Sequence, residues 1–359
     1  MTSDLDPAQP RPAEGPRKLA PHLVRAWRGK DQLQIGSSPS TAVVLDGLGP
    51  DDRRTLDLLS RGVSMAALDT DARRRGCDPQ RRHDLVAALA SRRMLVSADA
   101  GTTSTEAVRL RAERWSWLVD QSSERSAAAR QRPGQAVSVI GGTALATPVA
   151  AGFVASGVGT VTVVGEGPVT PADVVVGGPA TADVGRPLAA AAHEALARLS
   201  ARNSPTVRPR GDLMIVIGRD AHDAAATATW IADDVAHLAI LIRDCEIVVG
   251  PLVSPGRGPC LHCLDLHHRD KDPQWPHLLP QLRRPDPGRP AAVVPGLGQV
   301  AAGLAVLMGL GHLDRSPDPT PGTCATVSLP LGEVTWRLWT PHAGCGCIGL
   351  DAPAGPGTP

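Results

Sequence analysis

Twenty-eight consecutive residues without a charged side chain, 137–164, constrain the fold of this chain more than any other feature. The segment starts with a Val/Ile run at 137–140, passes through Gly141 and Gly142 into an alanine-rich stretch, and ends with a second valine run at 161–164. Continuous Val/Ile runs are typical of parallel strands buried on both faces. The order strand, glycine turn, helix, strand therefore predicts the opening of a nucleotide-binding α/β domain.

A membrane span is the alternative interpretation, because about 20 apolar residues are enough to cross a bilayer. Glycines and Pro148 interrupt the segment, and no cluster of lysine or arginine flanks it, so we favour the globular interpretation. Segment 291–311 is also uncharged, but Pro295 and several glycines favour a buried core helix. The acidic start of the chain does not resemble a signal peptide. We expect a cytoplasmic protein that does not contact the membrane.

The glycine pattern of the expected nucleotide site is incomplete. Gly141 occupies the first position of a G-x-G-x-x-G motif, but Thr143 and Ala146 occupy the later glycine positions. The second strand ends at Gly165 and Gly167 on either side of a glutamate, where a nucleotide-binding domain usually carries the acid that holds the ribose. The scaffold is that of a nucleotide-binding domain, while the nucleotide site is degraded.

Length and charge bound the domain organisation. The chain has 359 residues and a formal net charge of +1, so no global field attracts nucleic acid or an anionic membrane. We predict a disordered proline-rich arm at 1–19, a compact unit at 20–100, a connecting helix within 101–134, an α/β domain at 135–350 and a disordered tail at 351–359.

The α/β domain is predicted to have a doubly wound, mostly parallel sheet. Its later part alternates a helix at 188–199, a strand at 213–217, a helix at 224–236 and a strand at 238–242. Such alternation of strands and helices is typical of this fold class.

The compact unit at 20–100 resembles a winged helix-turn-helix. Three short strands are predicted at 23–27, 33–35 and 42–45, followed by three helices that begin after Gly49, Ser64 and Asp78.

This unit offers two binding modes. Runs of arginine at 73–75 and 81–82 fit a DNA-binding regulator, but aspartates interleave with them, so a solvated face of mixed charge is favoured. The edge of a sheet can instead accept an extended peptide as an additional strand. We predict peptide binding here, with backbone groups from the third strand and side-chain pockets from the third helix. The predicted residues are Ala42, Val43, Val44, Leu45, Arg81, Arg82, Leu85 and Leu89. Each leucine alone could equally fill the core of the unit.

Two cysteine pairs predict a metal site in the α/β domain. Cys260 and Cys263 form a C-x-x-C turn, and Cys345 and Cys347 form a C-x-C turn near the end of the domain. Four thiolates are a typical ligand set for structural zinc, and close spacing lets the two sulfurs of each pair face one ion. A redox C-x-x-C is the alternative. Other candidate ligands are His262, His267, His268 and His342. The remaining cysteines, Cys77, Cys245 and Cys324, are interpreted as small apolar residues.

The order of these motifs resembles the ThiF/MoeB-like branch of the ubiquitin-activating-enzyme superfamily. The resemblance covers about 137–349 and includes Pro148, the Gly-Val-Gly at 157–159, the Asp-Val-Gly-Arg-Pro at 183–187, Asp220 and the apolar segment 298–310. These enzymes adenylate a C-terminal carboxylate with Mg·ATP. The family's lysine corresponds to Arg186, its ribose acid to Gly165, a second acid to Gly167, and its asparagine, arginine and glutamine to Asp173, Val176 and Gly177.

The resemblance thus leaves few ATP ligands. Only Gly141, Glu166, Arg186 and Asp220 could still bind the nucleotide, with Arg186 and Asp220 as vestigial catalytic candidates. Loss of two or three charged hydrogen bonds weakens binding by about 10³-fold or more. We therefore do not expect ordinary ATP-dependent catalysis, although an active adenylyltransferase with an unusual site is the main alternative.

A winged-helix unit before a degraded ThiF-like domain resembles the leader-peptide-binding partner proteins of thiazole/oxazole-modified microcin (TOMM) biosynthesis. The segments 255–267 and 341–347 look like signatures of that subfamily. This resemblance implies a non-catalytic protein that binds the precursor's leader peptide and presents it to a YcaO-type cyclodehydratase. It also implies a homodimer.

Overall fold

The computed structural model describes residues 15–98, 108, 110, 113, 128–200, 203, 211–284, 293–315 and 321–347. By its internal contacts the chain forms two compact units, Met1–Ser126 and Ala127–Pro359. Most of the connecting helix predicted within 101–134, the first 14 residues and the tail at 351–359 lie outside the described residues.

The N-terminal unit contains two small sheets and three helices. Its elements are β1 (Arg17–Leu19), β2 (Arg25–Trp27), β3 (Leu33–Ile35), β4 (Val43–Leu45), α1 (Pro50–Arg61), α2 (Met65–Arg75), α3 (Pro79–Ser91) and β5 (Leu95–Ser97). Strands β2, β3 and β4 form an antiparallel sheet in that order, and β1 pairs with β5. Ser64 and Asp78 cap the N-termini of α2 and α3 through their side chains. The three predicted strands and three predicted helices are present, while the winged-helix identity of the unit stays a prediction.

The prediction of a disordered arm at 1–19 is wrong at its end. Arg17–Leu19 form β1, which pairs with β5 in register from Arg17 to Ser97. Leu19 is buried in the core of the unit, and Arg17 exchanges backbone hydrogen bonds with Val63. A lone apolar residue after a proline-rich stretch gives little sign of a strand, because the partner strand lies almost 80 residues later.

The C-terminal unit is built on one seven-stranded sheet. Its strands are β6 (Ala136–Ile140), β7 (Thr160–Val164), β8 (Leu213–Arg219), β9 (His237–Ile242), β10 (Glu246–Val253), β11 (Thr323–Ser328) and β12 (Glu333–Leu338). The order in the sheet is β12-β11-β10-β9-β8-β6-β7. Strands β7, β6, β8 and β9 are parallel, and β10 to β12 continue the sheet in antiparallel fashion. Five of the seven strands run in the same direction, so the sheet is mostly parallel as predicted.

Helices cover both faces of the central strands. They are α4 (Ala146–Ala155), α5 (Leu188–Ala197), α6 (Ala228–Ala232), α7 (Leu261–Lys271), α8 (Trp275–Leu282) and α9 (Pro295–Leu313). Ile215 and Ile240 of the sheet join the large core formed with α4 and α9, whereas Val216 and Ala239 face a second cluster that contains the start of α7. Alternate residues of β8 and β9 thus face two different layers, which is the doubly wound arrangement.

The uncharged segment 137–164 forms β6, α4 and β7 rather than one long helix. Helix α9 alone among the described helices is long and apolar enough to cross a membrane, and 61% of its most apolar window is buried inside the protein. It packs closely on α4: a β-carbon at Gly152 would lie 2.5 Å from Val306, and one at Gly309 would lie 2.5 Å from Phe153. These two glycines let the helices approach, so α9 is a core helix.

A buried ion pair joins the first and last parts of this unit. Arg132 precedes β6, Asp314 follows α9, and their side chains are 2% and 0% exposed. The guanidinium donates to both carboxylate oxygens, from Nε at 2.8 Å and from Nη2 at 2.6 Å, and Nη1 donates to the backbone oxygen of Ser156 at 2.9 Å.

Two predictions for this unit need correction. The helix predicted at 224–236 is limited to Ala228–Ala232. The residues before it form turns instead: Asp223 accepts a hydrogen bond from the amide of Ala225, and Thr227 donates one to the oxygen of Ala224. Strands β10 to β12 were not predicted. Gly250 and Pro251 lie inside β10, and residues of this kind are usually signs of a turn.

Candidate functional sites

Four cysteine sulfurs converge at the start of α7. Cys260 is the residue before the helix and Cys263 lies in its first turn, while Cys345 and Cys347 lie in the segment after β12. The Sγ–Sγ distances are 3.9 Å for Cys260–Cys263, 3.6 Å for Cys260–Cys345 and 3.4 Å for Cys263–Cys347, and all four atoms lie within 4.8 Å of one another. Sulfurs about 2.3 Å from a tetrahedral Zn²⁺ lie about 3.8 Å from one another. The four cysteines could therefore hold a metal ion.

The thiols are prepared unequally for metal binding. The hydrogen bond with Cys260 lowers the pKa of Cys263, while the same hydrogen bond and burial raise the pKa of Cys260. Burial raises the pKa of Cys347. A cation bound among these sulfurs would favour deprotonation of the thiols. A redox pair would need only Cys260 and Cys263, so the two further sulfurs favour the metal interpretation.

Histidines hold the second cysteine pair in place rather than joining the sulfur cluster. His267 on α7 is 2.9 Å from the backbone oxygen of Thr340, and His342 is 2.7 Å from the carboxylate of Asp270. His342 also accepts a hydrogen bond from the amide of Gly344. His268 packs against tryptophan rings instead. Among the described residues, the group that could hold a metal contains the four cysteines and none of the four histidines predicted as alternative ligands.

The glycine loop between β6 and α4 packs closely against Gly165 at the end of β7. A β-carbon at Gly165 would lie 3.0 Å from Leu188, 3.1 Å from the oxygen of Gly141 and 3.3 Å from Cα of Gly142. Gly141 itself has φ of +146°, and its β-carbon would lie 2.9 Å from the oxygen of Ile217. The loop thus packs directly on the strand end where a ribose-binding acid would be required.

The guanidinium of Arg186 forms ion pairs with two carboxylates. It donates to Asp183 at 2.5 Å and also pairs with Glu194, and these contacts raise its pKa, the hydrogen bond with Glu194 contributing most. Asp173, which corresponds to a family ATP ligand, is buried and accepts hydrogen bonds from the amide and hydroxyl of Thr170. Both side chains stabilise local turns. Glu166, by contrast, is exposed.

Asp220 lies in a cavity of about 640 Å³ at the carboxyl end of β8. Arg219, His222 and Arg283 also line it, and Arg283 donates to the backbone oxygen of His222 at 2.6 Å and to Asp265 at 3.0 Å. Burial, followed by the positive charges of Arg243 and Arg283, lowers the pKa of His222 to about 4. The sequence indicated Asp220 as a nucleotide candidate but not His222 or Arg283, because these two residues, 61 positions apart, meet only in the folded chain. Of the nucleotide candidates, Asp220 alone lines this cavity, and Gly141, Glu166 and Arg186 do not.

The predicted peptide edge is open in the N-terminal unit. Gly36 donates to the oxygen of Val24 at 2.8 Å, which fixes the alternation of backbone hydrogen bonds between β2 and β3. Ile35 therefore directs its backbone groups towards β4, where it pairs with Val43. The N–H and C=O of the next residue, Val44, point away from β3. Strand β4 is an edge strand, and the side chain of Val44 is 42% exposed.

The side chains predicted to form peptide pockets are engaged within the unit. Leu85 and Leu89 lie in its core, as the alternative interpretation allowed, and Leu89 is fully buried. Arg81 pairs with Asp52 at 2.8 Å, and Arg82 pairs with Asp69 at 2.6 Å. Ion pairs Arg54–Asp71 and Arg75–Asp51 also belong to this face, as the interleaved charges predicted.

The sequence matches no family profile and no curated protein. The fold, however, is shared with solved structures. Escherichia coli MccB with AMPCPP and MccA superposes with a TM-score of 0.70 at 13% identity, over 93% of this chain and 99% of that one. The microcin C7 biosynthetic enzyme MccB with N-formylated MccA gives 0.68 at 12% identity, over 93% and 100%. PaaA gives 0.62 at 16% identity, over 89% and 98%. The ThiF/MoeB-like fold predicted from the sequence is confirmed, and the likeness spans both units.

Proposed function

We propose that this chain binds a ribosomal precursor peptide through its N-terminal unit and presents it to a YcaO-type cyclodehydratase during azole/azoline peptide biosynthesis. The observation that carries the proposal is that β4 is an edge strand, in which the backbone groups of Val44 point away from β3. An extended peptide can add to such an edge by main-chain hydrogen bonds. MccB, which has the same fold, has been solved in complex with MccA.

The C-terminal unit supplies a scaffold in this proposal. Gly165 stands where a ribose-binding acid would be required and is closely packed by Leu188 and Gly141, and Arg186 is paired with Asp183 and Glu194. We further propose that the four cysteines hold one structural zinc ion, which ties the segment after β12 to α7. The winged-helix identity of the N-terminal unit, the homodimer and the cytoplasmic location belong to the same proposal.

Reconstitution tests the function. The full chain is used to capture its partners from the native cell, and the copurified short peptide and YcaO-type protein are then identified and purified. Azoline formation by the YcaO-type protein on that peptide should require the full chain and should fail with Val44→Pro. Val44→Thr is the matched control, because it keeps the backbone N–H. Full azoline formation with Val44→Pro would contradict the proposed role of β4.

An ATP-dependent adenylyltransferase is the second candidate, and the cavity beside Asp220 favours it. At about 640 Å³ this cavity has the size of a small-molecule site, and three arginines line it with Asp220. The same fold has been solved with ATP bound, in Escherichia coli MccB. Exchange of pyrophosphate into ATP separates the two candidates. Robust exchange that Asp220→Ala abolishes would replace the scaffold proposal with a catalytic one.

A further inference from the structure

A groove of about 460 Å³ lies beside β4 in the N-terminal unit. The strand side of this groove is formed by the residues that lead into β4, and its helix side by the last residue of α3 and the two arginines that follow. The lining residues are Ser40, Thr41, Ala42, Val43, Ser91, Arg92 and Arg93. No acidic residue is among them, so the groove carries two positive charges next to β4, which is the edge strand of its sheet.

Arg93 has no acidic partner among the residues that the structure describes. It has φ of +55°, in the left-handed region that arginine rarely adopts, and it is only partly exposed. Its Nη1 atom is buried and has no hydrogen-bond partner. A buried guanidinium N–H without an acceptor is unfavourable, because it has lost water without gaining a replacement.

Several arginines of this unit have an acidic partner within it. Arg54, Arg75, Arg81 and Arg82 each pair with an aspartate within 3.4 Å. Arg92 and Arg93 line the groove without an acidic residue in its lining. The positive charge of the groove is therefore complementary to a carboxylate that comes from outside the chain.

We propose that the peptide which adds to β4 places an aspartate or glutamate side chain in this groove, where its carboxylate pairs with Arg93 and lies beside Arg92. This inference rests on the proposed function and specifies the type of peptide residue that the groove recognises. Backbone pairing along Val44 is tolerant of sequence, whereas an arginine–carboxylate pair has a fixed geometry. The acidic residue would therefore set the register of the bound peptide.

A displayed library of random 12-residue peptides, selected against the full chain, tests the inference. Selection on the unchanged chain should recover peptides enriched in aspartate or glutamate at one position. Selection on the Arg92→Gln/Arg93→Gln variant should still recover peptides, but without that enrichment. Arg74→Gln is the matched control, because Arg74 is an exposed arginine of α2 outside the groove. Melting curves show whether each variant is folded.

The outcomes separate this inference from the proposed function. Peptides whose binding requires Val44 but shows no acidic preference would overturn the inference and leave peptide binding intact. Acidic enrichment that persists in the double variant would also overturn it. Failure to recover any peptide whose binding Val44→Pro abolishes would overturn the proposed function and this inference with it.

A single recovered peptide gives the quantitative check, and its first measurement uses only the unchanged chain. Replacing its acidic residue with glutamine should weaken binding to the unchanged chain by about 10- to 100-fold, because this is the change in affinity that the loss of one charged hydrogen bond causes. The glutamine peptide should then bind the unchanged chain and Arg93→Gln equally. Equal binding of the acidic and glutamine peptides to the unchanged chain would contradict the pairing.

Discussion

Arg132 and Asp314, 182 residues apart in sequence, form a two-pronged ion pair inside the C-terminal unit, with donor–acceptor distances of 2.8 and 2.6 Å. The pair connects the segment before the first strand of this unit to the end of α9. Because both side chains are buried, removal of either one leaves the other buried charge without its counterion.

Asp314→Asn should therefore destabilise the protein strongly. Breaking a buried ion pair costs about 3–5 kcal/mol, which is a large fraction of the stability of an ordinary domain. Denaturant unfolding followed by circular dichroism measures the loss. Arg132→Met/Asp314→Leu is the informative comparison, since an apolar replacement of both partners is often neutral. A single variant as stable as the unchanged protein would show that the pair contributes little.

Metal removal should destabilise the C-terminal unit. We expect about one zinc ion per chain by elemental analysis, and we expect Cys263→Ser to lose the metal and to melt at a clearly lower temperature. Structural zinc contributes an apparent 10–16 kcal/mol in small peptides, and a chelator should reproduce the effect of the substitution. Cys245→Ser is the control, because Cys245 is exposed and lies outside the cluster. Protein purified without metal and with unchanged stability would contradict the site.

Restoring the missing ribose acid should fail to restore nucleotide binding. Gly165→Asp introduces a β-carbon 3.0 Å from Leu188 and 3.1 Å from the oxygen of Gly141, and such overpacking costs about 1–3 kcal/mol. Gly165→Ala should show most of the same loss, since the β-carbon alone causes the contact. Calorimetric titration with Mg·ATP and thermal melting measure the two effects. Tight ATP binding by a stable Gly165→Asp protein would show that the loop can move away.

Acidification should weaken the fold through His222. Its pKa is lowered to about 4, so between the unfolded value of about 6.5 and pH 4 the unfolded chain takes up a proton that the folded chain does not. The free energy of unfolding therefore falls by about 2–3 kcal/mol as the pH falls through that window, and it does not change through His222 above pH 6.5. His222→Asn should lose less stability between pH 7.5 and 4.5 than the unchanged protein. His277→Asn, at an exposed position, should not differ from the unchanged protein, and equal losses in all three would refute this role of His222.

The edge of β4 can be tested by substitution of a single residue in the N-terminal unit. Val44→Pro removes the outward N–H, so we expect loss of peptide binding at unchanged zinc content. Fluorescence anisotropy with a labelled peptide obtained from the library selection measures binding, and Val44→Thr should bind normally. If residues 133–359 alone bound that peptide as well as the full chain does, the N-terminal unit would not be the peptide-binding unit.

Local sequence patterns predicted the parts of the fold that local chemistry determines. The uncharged segment 137–164 predicted β6, α4 and β7 because buried parallel strands need apolar residues on both faces. Ser64 and Asp78 predicted the starts of α2 and α3 because their side chains satisfy free amides of the first turn. The paired spacing of Cys260 with Cys263 and of Cys345 with Cys347 predicted one cluster, since two close sulfurs must face the same ion.

Features that depend on distant contacts could not be predicted in this way. Strand β1 pairs with β5, and the sequence of Arg17–Leu19 contains no pattern that predicts this pairing. The orphaned Nη1 of Arg93 depends on which aspartates reach the other arginines, and this follows only from the packing of α1, α2 and α3. His222 and Arg283 likewise meet through the packing of elements about 60 residues apart.

The cysteine cluster also sets an order of events during protein synthesis. Its sulfurs belong to residues 84 and 85 positions apart, so a ribosome that has just added Cys260 and Cys263 must work for about 4 to 17 s before their partners exist. During that interval the first pair offers only half of a tetrahedral site. The four-sulfur cluster is therefore completed only after every described strand of the sheet has been made.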